Sequence, residues 1–476
     1  MPKPKVLPAG IHYSMTARCA IGLLLICAFV LNGKSAPASS DLVLNKHDKI
    51  LVLAPHPDDE TIGTGGIIQR ATELGIPLKV VYLTYGENNE LAFLAYKKHP
   101  VLDRRGLLKM GETRHQEALN AMQFFGLKKS QLIFFGYPDF GTMAIFTKHW
   151  HQSRSYKSML ARVNAVPYQN AFSYNAPYKG ESVLHDLEQI LYNFQPTKIF
   201  VTLPADTNLD HRAYYLFLQV ALWDLKRKLP NTEVFPYIIH VIRWPLPRGF
   251  HPELPLNVPK TLTDAGLTWW TFPLTPNEIK NKEKAVEYYK SQKAYNPKYL
   301  PTFARKNELF GRFSDIQLPK NEKSIPWEKY VSEQNIISHL AEEGRPGHNI
   351  IRTLAYARQD GYLYIHLAIN RWESKVSGIN LYLMGYKSGA DFATMPKIRI
   401  NINFDRFVSV FDGSSRIFVE DVRLIRKRGA LLLKIPLSTL GAPDKILSCM
   451  KTYIADWPLE ATPWRTLIIK QSTNVR

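Results

Sequence analysis

Two short apolar runs, KILVLA (49–54) and PLKVVYLTYG (77–86), flank a glycine-rich turn that leads into a segment with helical spacing, GGIIQRATELG (65–75). Neither run alternates, so neither has a solvent face, and each reads as a strand covered on both sides. Strand, helix and strand this close together make a βαβ unit, whose two strands run parallel. That unit commits the chain to a sheet layered with helices. The alternation continues. GETRHQEALNAMQFFGL (111–127) is an amphipathic helix, and QLIFFGYPDFG (131–141) is a strand with a loop at its exit. VLHDLEQILYNFQP (183–196) is helical, and residues 197–225 read as strand, loop and helix. The pattern runs to about residue 242 and predicts a Rossmann-like three-layer α/β domain with a mainly parallel sheet, within residues 39–320.

Beyond it the texture changes. TPNEIKNKEKAVEYYKSQ (275–292) reads as one helix with a proline near its start, and residues 312–335 read as a polar linker. Residues 335–476 form a different class. GYLYIHLAIN, INLYLMGYK, KIRININFD, SRIFVEDVRLI and GALLLKIPLSTLG follow one another at short spacing, with turn signals QDG, FDG and KRG between them. Antiparallel strands at this spacing predict a β-sandwich. No repeat or low-complexity tract appears.

The first 38 residues read as a signal peptide. Lys3, Lys5 and Arg18 precede a twelve-residue apolar core, AIGLLLICAFVL, and Ala36 and Ala38 offer a small-x-small cleavage site. The core is short for a membrane span, with an uncleaved anchor as the alternative. Either way the expectation is export to a periplasmic, extracellular or envelope location. Cys19 and Cys27 fall inside this segment, so only Cys449 remains, and neither an internal disulfide nor a cysteine zinc site is available. The formal charge is +20. Residues 1–38 hold four of the cations and no acid, leaving +16. Such an excess attracts an anionic partner, for which an envelope surface is expected; no nucleic-acid motif is present.

The chemistry concentrates where strands end. LVLAPHPDDETIGTGG (51–66) discharges His56, Asp58, Asp59 and Glu60 at the exit of the first strand. PADTNLDH (204–211) leaves a later strand at the same sheet edge, where doubly wound sheets hold their ligands. His56, Asp59 and His211 can supply two imidazoles and one carboxylate to a catalytic zinc with one open position. Asp58 is then spare and can take a proton from a metal-bound water. Glu60 reads as solvated or as a cap on the following helix.

These motifs resemble the PIG-L/LmbE-like family of zinc-dependent N-deacetylases. PHPDDE is the signature. TRHQEALNAMQFFGL with Arg114 and Glu117, YPDFG with Asp139, DTNLDHRA, KEKAVEYYKSQ with Lys282, Ser291 and Gln292, and RKNELF with Arg305 and Glu308 follow in family order across residues 48–312. The resemblance implies Zn2+ (or another divalent metal) on His56, Asp59 and His211, with Asp58 as general base. It implies that Arg114 and Asp139 contact sugar hydroxyls. It also implies an N-acetylglucosamine-type substrate in a glycan or glycoconjugate. One position departs from the family, which usually has a histidine three residues before the last ligand. Here Asn208 stands there, and its amide can still donate a hydrogen bond to an oxyanion. The C-terminal part resembles carbohydrate-binding sandwiches in texture, and Trp372, Trp457 and Trp464 are candidates for a sugar platform or for core. The expectation is an exported metal-dependent deacetylase; a silent glycan binder or a hydrolase of another amide or ester are the alternatives.

Overall fold

The strands β1 (Ser39–Asp41), β2 (Ile50–Ala54), β3 (Leu78–Thr84), β4 (Leu132–Tyr137), β5 (Lys198–Thr202), β6 (Glu233–Tyr237), β7 (Leu267–Pro273) and β8 (Asn307–Phe313) form one sheet. Their order across it is β1-β7-β8-β6-β5-β2-β3-β4. The computed structural model describes residues 39–88, 95–96, 103–263, 265–318, 331–332, 337–338, 351–369, 378–403, 408–427, 429–454 and 457–469. The expected signal peptide and Trp372 lie outside these residues, and so does the side chain of Trp457. Among the described residues no helix is long and apolar enough to cross a membrane.

β2 and β5 are buried at every position, which is what their unbroken apolar character requires. β6, β5, β2, β3 and β4 run parallel in that order. β8 is antiparallel to β6 and β7, while β1 is parallel to β7. The sheet is thus mainly parallel, as the alternation predicts. β7 and β8 come from the stretch whose texture changes, and sequence reading missed β7. It is a half-exposed strand with no clean period.

The helices are α1 (Asp59–Glu73), α2 (Arg104–Phe124), α3 (Thr142–Lys148), α4 (Gly180–Phe194), α5 (Leu209–Asp224), α6 (Pro276–Val286) and α7 (Lys290–Lys293). Two readings need correction. The glycine-rich stretch after PHPDDE is not a turn: it lies inside α1, which starts at Asp59 and kinks at Thr64. A Cβ on Gly66 would stand 2.1 Å from Leu274 Cδ2 and 3.2 Å from Glu308 Oε2, so a larger residue here would have to displace the Leu274 side chain. The expected helix over 275–292 is two pieces. Thr275 and Glu278 cap α6 reciprocally, but the chain breaks where the buried Tyr289 turns in to bond Glu60 and Thr61.

The C-terminal strands are β9 (Ile316–Gln317), β10 (Val331–Ser332), β11 (Ile337–Ser338), β12 (Ile351–Gln359), β13 (Tyr362–Ile369), β14 (Gly378–Tyr386), β15 (Lys397–Asn403), β16 (Val408–Asp412), β17 (Ser415–Ile417), β18 (Arg423–Lys427), β19 (Ala430–Pro436), β20 (Lys445–Ile454), β21 (Trp457–Ala461) and β22 (Arg465–Ile468). They make two sheets, β10-β12-β13-β19-β18 and β11-β21-β20-β14-β15-β16-β17. Leu354, Leu363 and Leu433 of the first share one apolar core with Leu381, Ile400 and Ile446 of the second, so the expected sandwich forms. The linker reading fails over its described part. Arg312 and Phe313 finish β8, and β9 pairs in parallel with β22.

Residues 39–476 are one compact unit, and an aromatic seam joins its two halves. Phe146 meets Trp464 edge-on at 6.3 Å, Trp150 meets Phe392 at 5.1 Å, and Tyr386 donates to Asp224 at 2.9 Å. Trp464 is therefore core and not part of a sugar platform, being 2% exposed.

Candidate metal centre

The parallel strands end on one edge, and each sends a polar group into the same space. His240 follows β6, Asp206 and His211 follow β5, His56 follows β2, Glu87 follows β3 and Asp139 follows β4. From β2 the chain builds one way to β4 and the other way through β5 to β6. The topological switch lies between β2 and β5, where His56 and His211 emerge.

The two distant loops do meet. His56 Nδ1, Asp59 Oδ2 and His211 Nε2 lie 3.1–3.2 Å from one another. One ion bound at roughly 2.0–2.2 Å from each would touch all three. The outer nitrogens face carboxylates. His56 Nε2 is 3.1 Å from Asp139 Oδ1 and 3.3 Å from Asp210 Oδ2, and His211 Nδ1 is 3.2 Å from Asp206 Oδ2. A carboxylate on the far nitrogen fixes the tautomer and aims the other lone pair inward, which is the support that metal-bound imidazoles need. Two further triads, Asp206 with His211 and His240, and His56 with Asp139 and Asp210, also bring their ligand atoms close. Both use the outer nitrogens' carboxylates and read as this support. The donor chemistry therefore fits a divalent metal on His56, Asp59 and His211.

Charge in the site is arranged by these pairings. Burial would lower the His56 imidazole, but Asp139, Asp210 and Asp59 hold it well above its ordinary value. His211 is likewise opposed by burial, yet Asp206 and Asp59 raise it to about 9. Burial would raise Asp59, and the two histidines instead hold it well below the usual carboxylate range. Such imidazolium–carboxylate pairing is what the same groups do before a metal replaces the protons.

Asp58 stands apart from the triad. Its φ is 126°, a backbone region that side chains rarely adopt, and such strain clusters at functional sites. Its carboxylate lies 3.4 Å from Arg114 Nη2 and lines a cavity of about 460 Å³ with His56 and Asp59. Burial pushes Asp58 up to about 8, against the pull of Arg114 and with the push of Asp59 and Glu60. Arg114 also donates to Gly86 O and Pro57 O, both at 2.8 Å, so it ties the β2 and β3 exits together. The Glu117 carboxylate accepts from Ser291 N and Oγ. Asp139 accepts from Asn88 N at 2.8 Å while facing His56, so it supports the imidazole in addition to lining the cavity.

Asn208 caps α5, accepting from Asp210 N at 2.9 Å, and also lines the cavity. Glu60 is not solvated. It is fully buried and accepts from Asp58 N at 3.0 Å, Thr61 Oγ1 at 3.0 Å and Tyr289. It thus holds the strained turn.

Several site residues escaped sequence reading. Asp210 ties the start of α5 to the loop after β4, accepting from Phe140 N at 2.6 Å and Thr142 Oγ1 at 2.5 Å. It stood beside His211 in the motif, and its helical position next to a ligand was the available signal. His240 packs 4.7 Å from the His211 ring and lies 3.0 Å from Tyr299 OH through Nδ1. Burial lowers it to about 4, so it is a neutral imidazole. No motif surrounds it; only its place just past β6 could have found it. Glu87, also buried, is pushed up to about 8 by burial and by Asp139.

Residues 51–222 match the family model described as PIG-L, GlcNAc-PI de-N-acetylase. A 1D-myo-inositol 2-acetamido-2-deoxy-alpha-D-glucopyranoside deacetylase of Nocardia farcinica is 40% identical over 77 residues, 15% of this chain. The chain spans 25% of that relative's length. Among solved structures, N,N'-diacetylchitobiose deacetylase from Pyrococcus horikoshii is 18% identical, covering 63% of this chain and 94% of its own at a TM-score of 0.34. The 4-carboxy-2-hydroxymuconate hydratase GalB of Pseudomonas putida is 17% identical, covering 58% of this chain and all of its own at 0.33. The matched residues hold both loops of the triad, with nearly all of the βαβ unit and of α5.

Proposed function

We propose that this chain is an exported, zinc-dependent N-deacetylase that hydrolyses the acetamide of an N-acetylglucosamine-type sugar in a glycan or glycoconjugate. The observation that carries the reading is the inner triangle of His56, Asp59 and His211 with Asp58 left over beside it. The PIG-L match and the deacetylase named for the Nocardia farcinica relative support the acyl group and the sugar. The pattern of residues 1–38 supports export.

When bound, zinc supplies a Lewis acid for the amide carbonyl and brings the pKa of a water ligand toward roughly 7. Asp58 accepts the proton of the attacking water and returns it to the leaving amine. Arg114 and Glu60 keep that carboxylate on its turn. Asn208 gives its oxygen to the helix cap, so its amide N–H group is the one available to the developing oxyanion. His240, neutral and held by Tyr299, stands on the same wall. Arg114 and Asp139, which line the cavity, meet the sugar hydroxyls.

The test is release of acetate from N-acetylglucosamine oligosaccharides by the full chain, before and after chelation and after zinc is restored. Release that chelation stops and zinc restores is expected. Zinc-loaded protein that releases nothing from a broad panel of acetamido sugars overturns the reading.

A further inference from the structure

We propose that the seam between the α/β half and the sandwich binds a tetrahedral anion, inorganic phosphate or sulfate, held by Arg212 of α5 together with Lys148, Arg399 and Lys451. The site is distinct from the sheet-edge cavity, which none of the four residues lines.

Arg212 shows the need directly. It is fully buried, and its Nε donates to Asp206 O. Its Nη1 and Nη2 are both buried and have no hydrogen-bond partner. Buried donors are normally paired, and a buried charge is costly without a partner, so the open fork points to a missing acceptor that carries charge. Trp464 adds a further buried orphan donor at Nε1, and its own backbone N donates to Pro204 O at 3.3 Å, beside the loop that Arg212 holds.

The sandwich brings its cations to the same seam. Leu381, Ile400 and Met450 lie in the sandwich core, so Tyr382, Arg399, Cys449 and Lys451 stand on the opposite face of their sheet. Tyr382 pairs in register with Arg399 on one side and Cys449 on the other. Cys449 and Trp464 belong to the core of the α/β half, so this is the face that meets it. Lys451 Nζ lies 5.6 Å from the centroid of the Tyr382 ring, which is 5.9 Å from that of Trp464. Arg399 stacks 4.2 Å from the Phe411 ring and leaves Nε buried without a partner. Lys148 comes from the other half, at the end of α3, whose Phe146 meets Phe217 of α5 edge-on at 5.0 Å. The β16–β17 turn closes on it, since a Cβ on Gly413 would stand 3.4 Å from Lys148 O.

The charges feel one another and lack an answer. Among the described residues none of these four cations has a carboxylate in ion-pair contact. Burial lowers the Lys451 ammonium to about 8; Cys449 opposes this, and Arg212 and Lys148 push the same way as burial. Burial and Arg399 together lower Lys148. Asn380 Oδ1, in register with Lys451, is an open acceptor on this face, but a neutral amide oxygen cannot offset four cations. A tetrahedral dianion supplies both the charge and the oxygens, and the planar fork of Arg212 matches two of those oxygens. Arg212 stands next to His211 in α5, while Arg399 and Lys451 belong to the sandwich. The anion thus ties the sandwich to the helix that carries a proposed metal ligand.

The experiment titrates the full chain, as purified and dialysed free of oxyanions, with phosphate, sulfate and chloride at matched ionic strength in a calorimeter. Wild type, K451M, R399M and R212M are compared, and circular dichroism checks every variant. One phosphate or sulfate per chain is expected in wild type, bound about tenfold more weakly by K451M and by R399M and not at all by R212M. The tighter of the two names the anion, and the unfolding temperature of wild type should climb with the logarithm of its concentration. If R212M does not fold, K451M and R399M decide, because both side chains are half-buried and lie outside the metal centre. Absence of oxyanion binding, or chloride bound as tightly, overturns the proposal. So does oxyanion binding that K451M and R399M both leave unmoved, which would place the anion on the metal instead.

Discussion

His56, Asp58, Asp59, Glu87, Asp139, Asp206, Asp210 and His211 crowd one edge of the α/β sheet, and none is more than 8% exposed. The sandwich places apolar side chains from both its sheets in its core, and its buried charged groups are few: Lys397, Glu460 and Arg465 among the described residues. One half concentrates buried charge and strain; the other concentrates packing. Buried charges are costly unless paired, and the strained Asp58 turn persists only because its surroundings hold it. The difference teaches where to look for each kind of defect. Changes at the sheet edge should remove chemistry while the fold survives, and changes at the seam should remove stability while the chemistry of folded molecules survives.

The largest effect is expected from Asp59→Ala. It removes one of three ligands, so zinc content measured by mass spectrometry of purified protein should fall below stoichiometric and acetate release should vanish. Full zinc retention would break the assignment. Asp58→Asn should keep the metal and lose activity by about 10²–10⁴-fold, the usual contribution of a positioned base. Loss of metal in this variant would place Asp58 inside the ligand set instead. Trp464→Ala should destabilise by about 3–5 kcal/mol in thermal or urea unfolding, the range for emptying a large buried aromatic site. Its activity per folded molecule should stay near wild type. A kinetic defect without a stability defect would mean that the seam reaches the site.

The smallest effect is a pH slope. Burial, with Lys129 nearby, lowers His115 to about 4, and its ring sits 5.2 Å from Tyr85 and 4.3 Å from Phe134. The unfolded chain, with an imidazole near 6.5, binds more protons than the folded one between those values. Stability should therefore fall as the pH drops from about 6.5 to about 4. His115→Gln should flatten that part of the curve without touching metal content.

Much of this was legible in the residues. Unbroken apolar strands alternating with helices forced a parallel sheet, and a parallel sheet gathers its exits on one edge. His56, Asp58, Asp59 and His211 could be placed together for that reason alone. The support was harder to read. Asp206 and Asp210 sit within the same motif as His211, but their acceptance of imidazole and loop N–H groups depends on facing atoms at the exits of β2, β4 and β6 that no spacing encodes. His240 and Tyr299 come from irregular segments without a period. The kinked α1 defeated the rule that clustered glycines mean a turn, because the rule weighs local conformation and the glycines here answer to the crowding of Leu274 and Tyr237.

The kink has a further outcome. At Thr64 the helical ladder opens, and the N–H groups of Gly66 and Ile67 are taken by the Glu308 carboxylate at 2.7 and 3.1 Å, itself gripped by Lys282 Nζ at 2.6 Å. The helix that begins with Asp59 is thus latched by Glu308, more than 240 positions downstream of the groups it holds. A fragment trimmed to the matched segment 51–222 would own every proposed ligand and yet lack the latch, so dissection of this protein into a minimal enzyme has to keep the chain through β8.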